Sequence, residues 1–242
     1  MAETETKTNA QRFIAAYNNI DYALKTRYNF SRTTGFSDLI RKTVRLNYIV
    51  RKHEDDLIDY GRLRNAIVHN NDDYVIAEPH DNVVENIERI EKLLTTPPRA
   101  LDHVRRDVLT VDANKTMYEV ITLITTSKYS NIPVYNNGEL IGIANGQKIL
   151  DSFGQFLLSG GKADVFLNHV KIEDMLSHIE NSNYYSVAPK ECTVGQALDA
   201  FQDNSKLLAI LITKTGDNKG LPLGIITRAD VVEMNKILDD YT

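Results

Sequence analysis

The feature that most constrains the fold is an internal repeat in the C-terminal half of the chain. The first copy is predicted as a strand, a helix, a strand hairpin and a second helix, at Val108–Val111, Thr116–Ser127, Ile132–Ala144 and from Asn145 onward. The second copy repeats this order from Tyr185 to a helix that begins near Thr227. Self-similarity at this spacing indicates two diverged copies of one β-α-β-β-α unit.

The register of the two copies supports the repeat. Thr116 and Thr193 stand 77 residues apart, as do Ile132 and Ala209, whereas Gly142 and Gly224 stand 82 apart. The five extra residues fall in the loop from Lys214 to Pro222, and insertions are tolerated at such hairpin tips because they disturb no packing.

The N-terminal part has a different period, which is that of amphipathic helices. Phe13, Tyr17, Ile20 and Leu24 form one apolar face, and similar stripes follow over 36–50, 57–67 and 83–94. Helices of this kind bury their stripes against each other, which predicts an antiparallel bundle, and Pro97-Pro98 ends the last helix. The predicted fold class is α+β, with a helical bundle at 1–96 followed by a repeat domain at 97–242 (repeats at about 104–155 and 170–238).

The motif that carries the most chemistry is Gly224-Ile225-Ile226-Thr227-Arg228-Ala229-Asp230, where a strand runs into the start of a helix. Together with the repeat it resembles the CBS domain pair, the regulatory module of cystathionine β-synthase. A carboxylate can accept hydrogen bonds from both ribose hydroxyls, and a hydroxyl at a helix start can reach a sugar or phosphate.

The resemblance implies an adenine nucleotide (AMP, ATP or a related compound) as regulatory ligand. Thr227 and Asp230, at the end of the strand that contains Gly224 and Ile226, would hold the ribose. Val108 and Leu109 would cover the adenine, and Lys206 would approach the phosphates. The alternative is a capping box, in which Thr227 and Asp230 only satisfy backbone donors of the helix.

The first repeat departs from this pattern. It has Asn145 and Lys148 where the second has Thr227 and Asp230. Asn145 can still cap a helix, but Lys148 cannot accept a hydrogen bond from ribose. The sequence therefore predicts one good nucleotide site per chain, with the first-repeat cleft either empty or adapted to a more anionic ligand.

A second motif, Arg64-Asn65-Ala66-Ile67-Val68-His69, lies in the third predicted helix. It resembles the Arg-polar-x-x-x-His motif of HEPN domains, helical bundles that include metal-independent ribonucleases. The resemblance implies RNA as substrate, with Arg64, Asn65 and His69 as catalytic residues and no metal required. Arg64 and His69 lie about 140° apart on a regular helix, so one helix alone does not bring the two side chains together. HEPN domains usually dimerise so that the motifs of two chains line one cleft, and a homodimer is therefore expected.

Both ends of this motif also have possible noncatalytic roles. His69 could simply end a helix, where a partly positive imidazole suits the helix dipole. Arg64 could form a surface ion pair with Asp55, Asp56 or Asp59. The first functional hypothesis is thus a ribonuclease gated by the nucleotide, and the second is a noncatalytic nucleotide sensor whose helical domain dimerises or docks a partner.

Composition argues against several other classes of protein. The net charge of −5 argues against non-specific nucleic-acid binding, although Arg41, Lys42, Arg45, Arg51 and Lys52 could form a short basic stripe on one predicted helix or be ordinary solvated positions. No apolar run is long enough to span a bilayer, and the polar N-terminus resembles no targeting signal. With the single Cys192 and scattered histidines, this predicts a cytoplasmic protein without a metal site.

Overall fold

The computed structural model describes residues 7–68, 78–177 and 183–241. The chain divides into two compact units. The first contains Met1–Pro98, Val194–Asp199 and Glu233–Thr242, and the second contains Arg99–Thr193 and Ala200–Val232. The first unit is helical at its N-terminal end, and the second is built from strands and helices.

The N-terminal segment folds into helices, as the periodicity predicted. They are α1 (Asn9–Arg27), α2 (Phe36–Thr43), α3 (Tyr48–Lys52), α4 (Glu54–Val68) and α5 (Asp81–Thr95). Thr8 begins α1 with a capping box, and the apolar stripe of α1, which includes Phe13, Ile20 and Leu24, is fully buried.

The prediction of a single helix over 36–50 is wrong, because this segment forms two helices, α2 and α3. Asn47 has an extended backbone, with φ −149° and ψ 122°, and its side chain accepts hydrogen bonds from the backbone N–H groups of Ile49 and Val50. An asparagine that caps the following turn competes with helix continuation. The apolar period alone does not reveal this competition.

The topology of the bundle also differs from the prediction. Asn9 contacts Asp81, Arg12 pairs with Glu88, and Arg27 donates to the Leu94 carbonyl, so positions along α1 and α5 increase together. These two helices therefore run parallel, and the prediction of an antiparallel bundle is wrong for them.

The second unit begins with β1 (Val111–Asp112), α6 (Met117–Ser127), β2 (Asn131–Asn136), β3 (Glu139–Asn145) and α7 (Gly146–Leu158). Two short helices follow, α8 (Ala163–His169) and α9 (Ile172–Ser177). Along the chain the order then repeats as β4 (Tyr185–Pro189), α10 (Val194–Asp203), β5 (Ala209–Thr213), β6 (Gly224–Thr227) and α11 (Val231–Asp239), of which α10 up to Asp199 and α11 from Glu233 belong to the first unit. The predicted β-α-β-β-α units are confirmed.

Each repeat forms a three-stranded sheet within the described residues. The first strand of each sheet pairs in parallel with the second, and the second pairs antiparallel with the third, in the orders β1-β2-β3 and β4-β5-β6. Individual residues determine where the helices begin and where the hairpin turns. Thr116 caps α6 and Asn145 caps α7, while Asn137 and Gly138 adopt the positive φ angles that a tight hairpin needs.

Two apolar cores hold this unit together. One lies in the first repeat, around Met117, Ile132 and Phe166. The other joins residues of both repeats, including Ile143, Leu211 and Ile225. The shared core brings the ends of the two sheets near each other, which positions the site described below.

Most of the basic stripe considered above is engaged within the first unit. Arg51 forms an ion pair with Asp199, Lys52 pairs with Asp239 at 2.8 Å, and Lys42 pairs with Asp38 on its own helix. Because α2 and α3 are separate helices, these cations do not form one continuous stripe. Within the described ranges, the helices are all too short or too polar to cross a membrane.

Candidate functional site

A cavity of about 230 Å³ lies in the second unit, where the end of β6 meets the loop that precedes β2. Residues of both repeats line it: Arg105, Lys128, Tyr129, Ser130, Asn131, Ile225, Thr227 and Asp230. The two residues that the sequence assigned to ribose binding, Thr227 and Asp230, therefore share one cavity.

Asp230 forms part of the local turn at the start of α11. Its Oδ2 accepts hydrogen bonds from the Thr227 backbone N–H at 2.6 Å and from the Thr227 hydroxyl at 2.8 Å. This is the capping arrangement considered as the alternative. Both residues nevertheless remain half-buried beside the open cavity, and Oδ1 of Asp230 accepts no hydrogen bond from the described residues. One carboxylate oxygen is thus committed to the cap and the other is available to a ligand.

Two cations line the same cavity. The guanidinium carbon of Arg105 lies 3.7 Å from the centroid of the Tyr129 ring, and the buried Nε of Arg105 has no hydrogen-bond partner in the described structure. Lys128 ends α6 in a left-handed conformation, with φ 64°. Among the described residues, neither Arg105 nor Lys128 forms an ion pair, so the cavity carries two uncompensated cations against the one carboxylate.

Gly224 explains how Arg105 reaches this position. A Cβ at Gly224 would lie 3.0 Å from Leu101 Cδ1 and 3.0 Å from Val104 Cγ2. The missing side chain lets the segment that carries Arg105 approach β6 closely, and the Ile225 backbone N–H donates to the Arg105 carbonyl at 3.3 Å. Gly224 therefore acts through packing rather than through contact with the cavity.

The other residues assigned from the sequence lie elsewhere. Ile226 is fully buried in β6, while Val108 and Leu109 lie before the short β1 and pack against the shared core and the first-repeat core. Lys206 is exposed, and its backbone N–H donates to Asn204. These four residues are not among the cavity lining.

The corresponding region of the first repeat is arranged differently. Asn145 caps α7 by accepting from the backbone N–H groups of Gln147 and Lys148, as expected. The Lys148 ammonium lies 4.6 Å from the centroid of the Tyr184 ring, and a Cβ at Gly142 would lie 3.0 Å from the Tyr184 hydroxyl. Tyr184 therefore occupies the space beside β3, and burial raises the pKa of its hydroxyl.

The helical motif is only partly described. Arg64 and Asn65 lie on α4, whereas His69 lies outside the described residues. The Arg64 guanidinium is 5.9 Å from the Tyr17 ring centroid, and its buried Nε has no partner in the described part of the chain. Burial, with a contribution from nearby Asp21, raises the pKa of Tyr17 to about 12.

The alternative considered for Arg64, an ion pair with Asp55, Asp56 or Asp59, is not found among the described residues. Asp59 pairs with Arg62 at 2.7 Å, and Asp56 lies 3.4 Å from the His53 ring. The described aspartates thus leave Arg64 without an ion pair.

Sequence reasoning missed Arg105, Lys128 and Tyr129. They lie in the segments that lead into the two predicted strands of the first repeat, Arg105 before Val108 and the other two before Ile132. The register of the repeats alone does not show which loop of one copy faces the motif of the other, since that depends on the shared core.

Comparison with known protein families gives a match within the second unit. The family model described as "CBS domain" matches residues 100–153. The search of curated proteins found no relative of this sequence. No group of residues that could hold a metal ion occurs in the described part of the chain.

Several solved structures are similar at low identity. The CBS domain of a bacterial CNNM/CorC family Mg²⁺ transporter in complex with ATP is 18% identical, with a TM-score of 0.44, over 61% of this chain and 92% of that one. A putative acetoin utilization protein from Vibrio cholerae is 15% identical, with a TM-score of 0.44, over 59% and 93%. A CBS-domain containing protein from Agrobacterium tumefaciens is 18% identical, with a TM-score of 0.41, over 56% and 89%. The family match, together with the β-α-β-β-α order, identifies residues 100–153 as a CBS domain.

Proposed function

We propose that this protein is a regulatory sensor of adenine nucleotides, with the ligand bound in the cavity at the end of β6. The observation that carries the proposal is the position of Asp230, which lines an open cavity shared by the two repeats while one of its carboxylate oxygens accepts no hydrogen bond from the described residues. A carboxylate in this position can accept hydrogen bonds from the vicinal hydroxyls of a ribose. The CBS domain at residues 100–153 contributes Lys128 and Tyr129 to the same cavity.

The direct test is the melting temperature of the full chain with AMP, ADP, ATP and adenosine. A ligand that binds only the folded state raises the melting temperature, by an amount that grows with the ratio of its concentration to Kd. Asp230→Ala should remove this rise. Asp203→Ala, at an exposed aspartate at the end of α10 that does not line the cavity, is the matched control and should keep it. The proposal fails if no adenine compound shifts the wild-type protein.

A second candidate activity is metal-independent RNA cleavage by the helical domain, with Arg64, Asn65 and His69 as its residues. The observation that favours it is the Arg64 guanidinium, whose buried Nε has no hydrogen-bond partner among the described residues and which pairs with none of the described aspartates. An arginine in that state can bind a phosphate and offset the charge that develops during attack by a 2′-hydroxyl. A histidine with a pKa near 6.5 can transfer the proton.

This activity is tested by incubating the protein with RNA in EDTA. Wild-type protein should cleave, and His69→Ala should not. His80→Ala is the control, since His80 is exposed and its side chain makes no cap hydrogen bond at the start of α5. Cleavage that survives in His69→Ala would contradict the assignment, and so would wild-type protein that does not cleave.

The candidate also requires two copies of the motif in one cleft, which predicts a homodimer that light scattering would detect. A nucleotide can regulate such an enzyme only if it binds two arrangements of the protein with different affinity. Cleavage rates measured with and without AMP or ATP would show this coupling. In the absence of cleavage, the protein remains a noncatalytic sensor whose helical domain dimerises or docks a partner.

A further inference from the structure

A second cavity, of about 510 Å³, lies in the first repeat among α7, α8 and α9. The apolar part of its lining consists of Phe156, Val165, Phe166 and Met175. Small-molecule sites typically have volumes of about 300–1,000 Å³ and combine an apolar lining with a few polar groups. This cavity shares no lining residue with the cavity at the end of β6, so the proposed nucleotide sensor does not account for it.

The turn that ends α7 fixes one aromatic ring at this cavity. Gly160 has φ 92°, its N–H donates to the Leu157 carbonyl, and the Gly161 N–H donates to the Phe156 carbonyl at 2.9 Å. This is the Schellman arrangement, which favours glycine at the left-handed position. A Cβ at Gly161 would overlap the Phe156 ring, so the missing side chain lets the ring pack on the turn.

The rest of the apolar lining belongs partly to the protein core. Phe166 and Met175 are only 2% and 3% exposed and pack in the first-repeat core. The ring centroids of Phe156 and Phe166 lie 5.4 Å apart, and the rings are tilted by 54°. Phe156 is half-buried and Val165 is 38% exposed, so apolar surface stays accessible above a rigid base.

The lining carries one carboxylate, that of Asp174, and no lysine or arginine among the described residues. Oδ2 of Asp174 accepts a hydrogen bond from the Lys171 backbone N–H at 3.1 Å. The Lys171 ammonium lies 3.8 Å from the Glu173 carboxylate, and Asp174 itself forms no ion pair with a described residue. His169 is the other ionisable side chain of the described lining. Oδ1 of Asp174 is therefore available to accept from a ligand.

We propose that this cavity binds an organic ammonium ion, whose apolar body packs against Phe156 and Phe166 while its nitrogen donates to Asp174. A carboxylate forms charge-assisted hydrogen bonds with an ammonium group, and aromatic rings attract cations. A ligand with a carboxylate would be repelled by Asp174, and a metal cation would leave the apolar lining without a partner. The proposal goes beyond the nucleotide sensor and does not depend on it.

Three probes of similar size test the proposal: 2-phenylethylamine, 2-phenylethanol and 3-phenylpropanoate. NMR titration of the full chain, labelled at its methionine methyl groups, reports both affinity and position. The Met175 methyl should shift, whereas that of Met234, which lies on α11 and does not line the cavity, should not. The amine should bind at least about threefold more tightly than the alcohol, because a partly exposed charge pair and a cation–π contact each contribute modestly. The propanoate should bind more weakly than the alcohol.

Asp174→Asn separates charge from shape. The amide keeps an oxygen that can accept from the Lys171 N–H, so the turn is preserved while the negative charge is lost. The amine should then bind about as weakly as the alcohol, and binding of the alcohol should not change. Asp164→Asn is the matched control, since Asp164 is exposed on α8 and does not line the cavity, and it should keep the preference for the amine.

Two further variants test the remaining contacts. Phe156→Leu should weaken the amine and the alcohol alike, because both use the aromatic lining. His169→Gln should keep the preference for the amine, since the proposal assigns the charge to Asp174 alone.

Several results would overturn the proposal: no binding of the amine, equal binding of the alcohol, tighter binding of the propanoate, or an amine preference that survives in Asp174→Asn. A shift of the Met234 methyl as large as that of Met175 would also overturn it, because binding would then not be confined to this cavity. The nucleotide sensor is tested separately by adenine compounds and Asp230→Ala, so failure of either proposal leaves the other standing.

Discussion

Asp230 has two roles in this structure, and they can be measured separately. Its Oδ2 accepts hydrogen bonds from the Thr227 N–H and hydroxyl, so it stabilises the start of α11 even without ligand. A cap of this kind contributes about 1 kcal/mol. For a unit of this size, Asp230→Ala should lower the melting temperature of the ligand-free protein by about 3–5 °C. A ligand at 100 times its Kd adds about 2.7 kcal/mol, which corresponds to a rise of roughly 10 °C.

Asp230→Asn separates the two roles. The amide retains an oxygen that can accept from Thr227, so the ligand-free protein should melt within about 2 °C of wild type. The group beside the cavity becomes an NH₂, which cannot accept hydrogen bonds from ribose hydroxyls, so most of the ligand-induced rise should be lost. Differential scanning calorimetry of both variants, with and without AMP, is the assay. A full ligand-induced rise in Asp230→Asn would refute the ribose contact, and an unchanged ligand-free melting temperature in Asp230→Ala would refute the cap.

Two further predictions concern stability. Burial and nearby Arg89 lower the pKa of His53 below its usual value of about 6.5, so the fold binds fewer protons than the unfolded chain. The contribution of His53 to the free energy of unfolding should therefore be constant above about pH 6.5, and the free energy should fall as the pH drops below 6.5. Urea titrations between pH 5 and 8 measure this fall, which should be smaller in His53→Gln. Gly142→Ala would place a Cβ 2.9 Å from Leu176 Cδ1, which should destabilise the second unit by about 1–3 kcal/mol; a melting temperature equal to that of wild type would contradict the close approach.

Local features of this protein follow from the sequence because they depend on neighbours a few residues apart. The caps at Thr116 and Asn145, the hairpin at Asn137-Gly138 and the order of the two repeats were all predictable. Each rests on a hydrogen bond within three residues or on an apolar period that the chain displays directly.

Where prediction failed within the helical domain, the reason was also local. The side chain of Asn47 caps α3 and divides the predicted helix, an effect that apolar periodicity does not encode. The parallel direction of α1 and α5 is a second failure, and it depends on contacts between residues that lie far apart along the chain, such as Asn9 with Asp81 and Arg27 with Leu94.

For the candidate site, the sequence by itself determined the residues that one repeat presents, Thr227 and Asp230, because they lie in a contiguous motif. Only the tertiary structure decided what faces them. Arg105 and Tyr129 are separated from that motif by about a hundred residues, and they reach the cavity because the shared core joins the sheets of both repeats. Packing between distant apolar side chains fixes such neighbours, and no spacing along the chain records it.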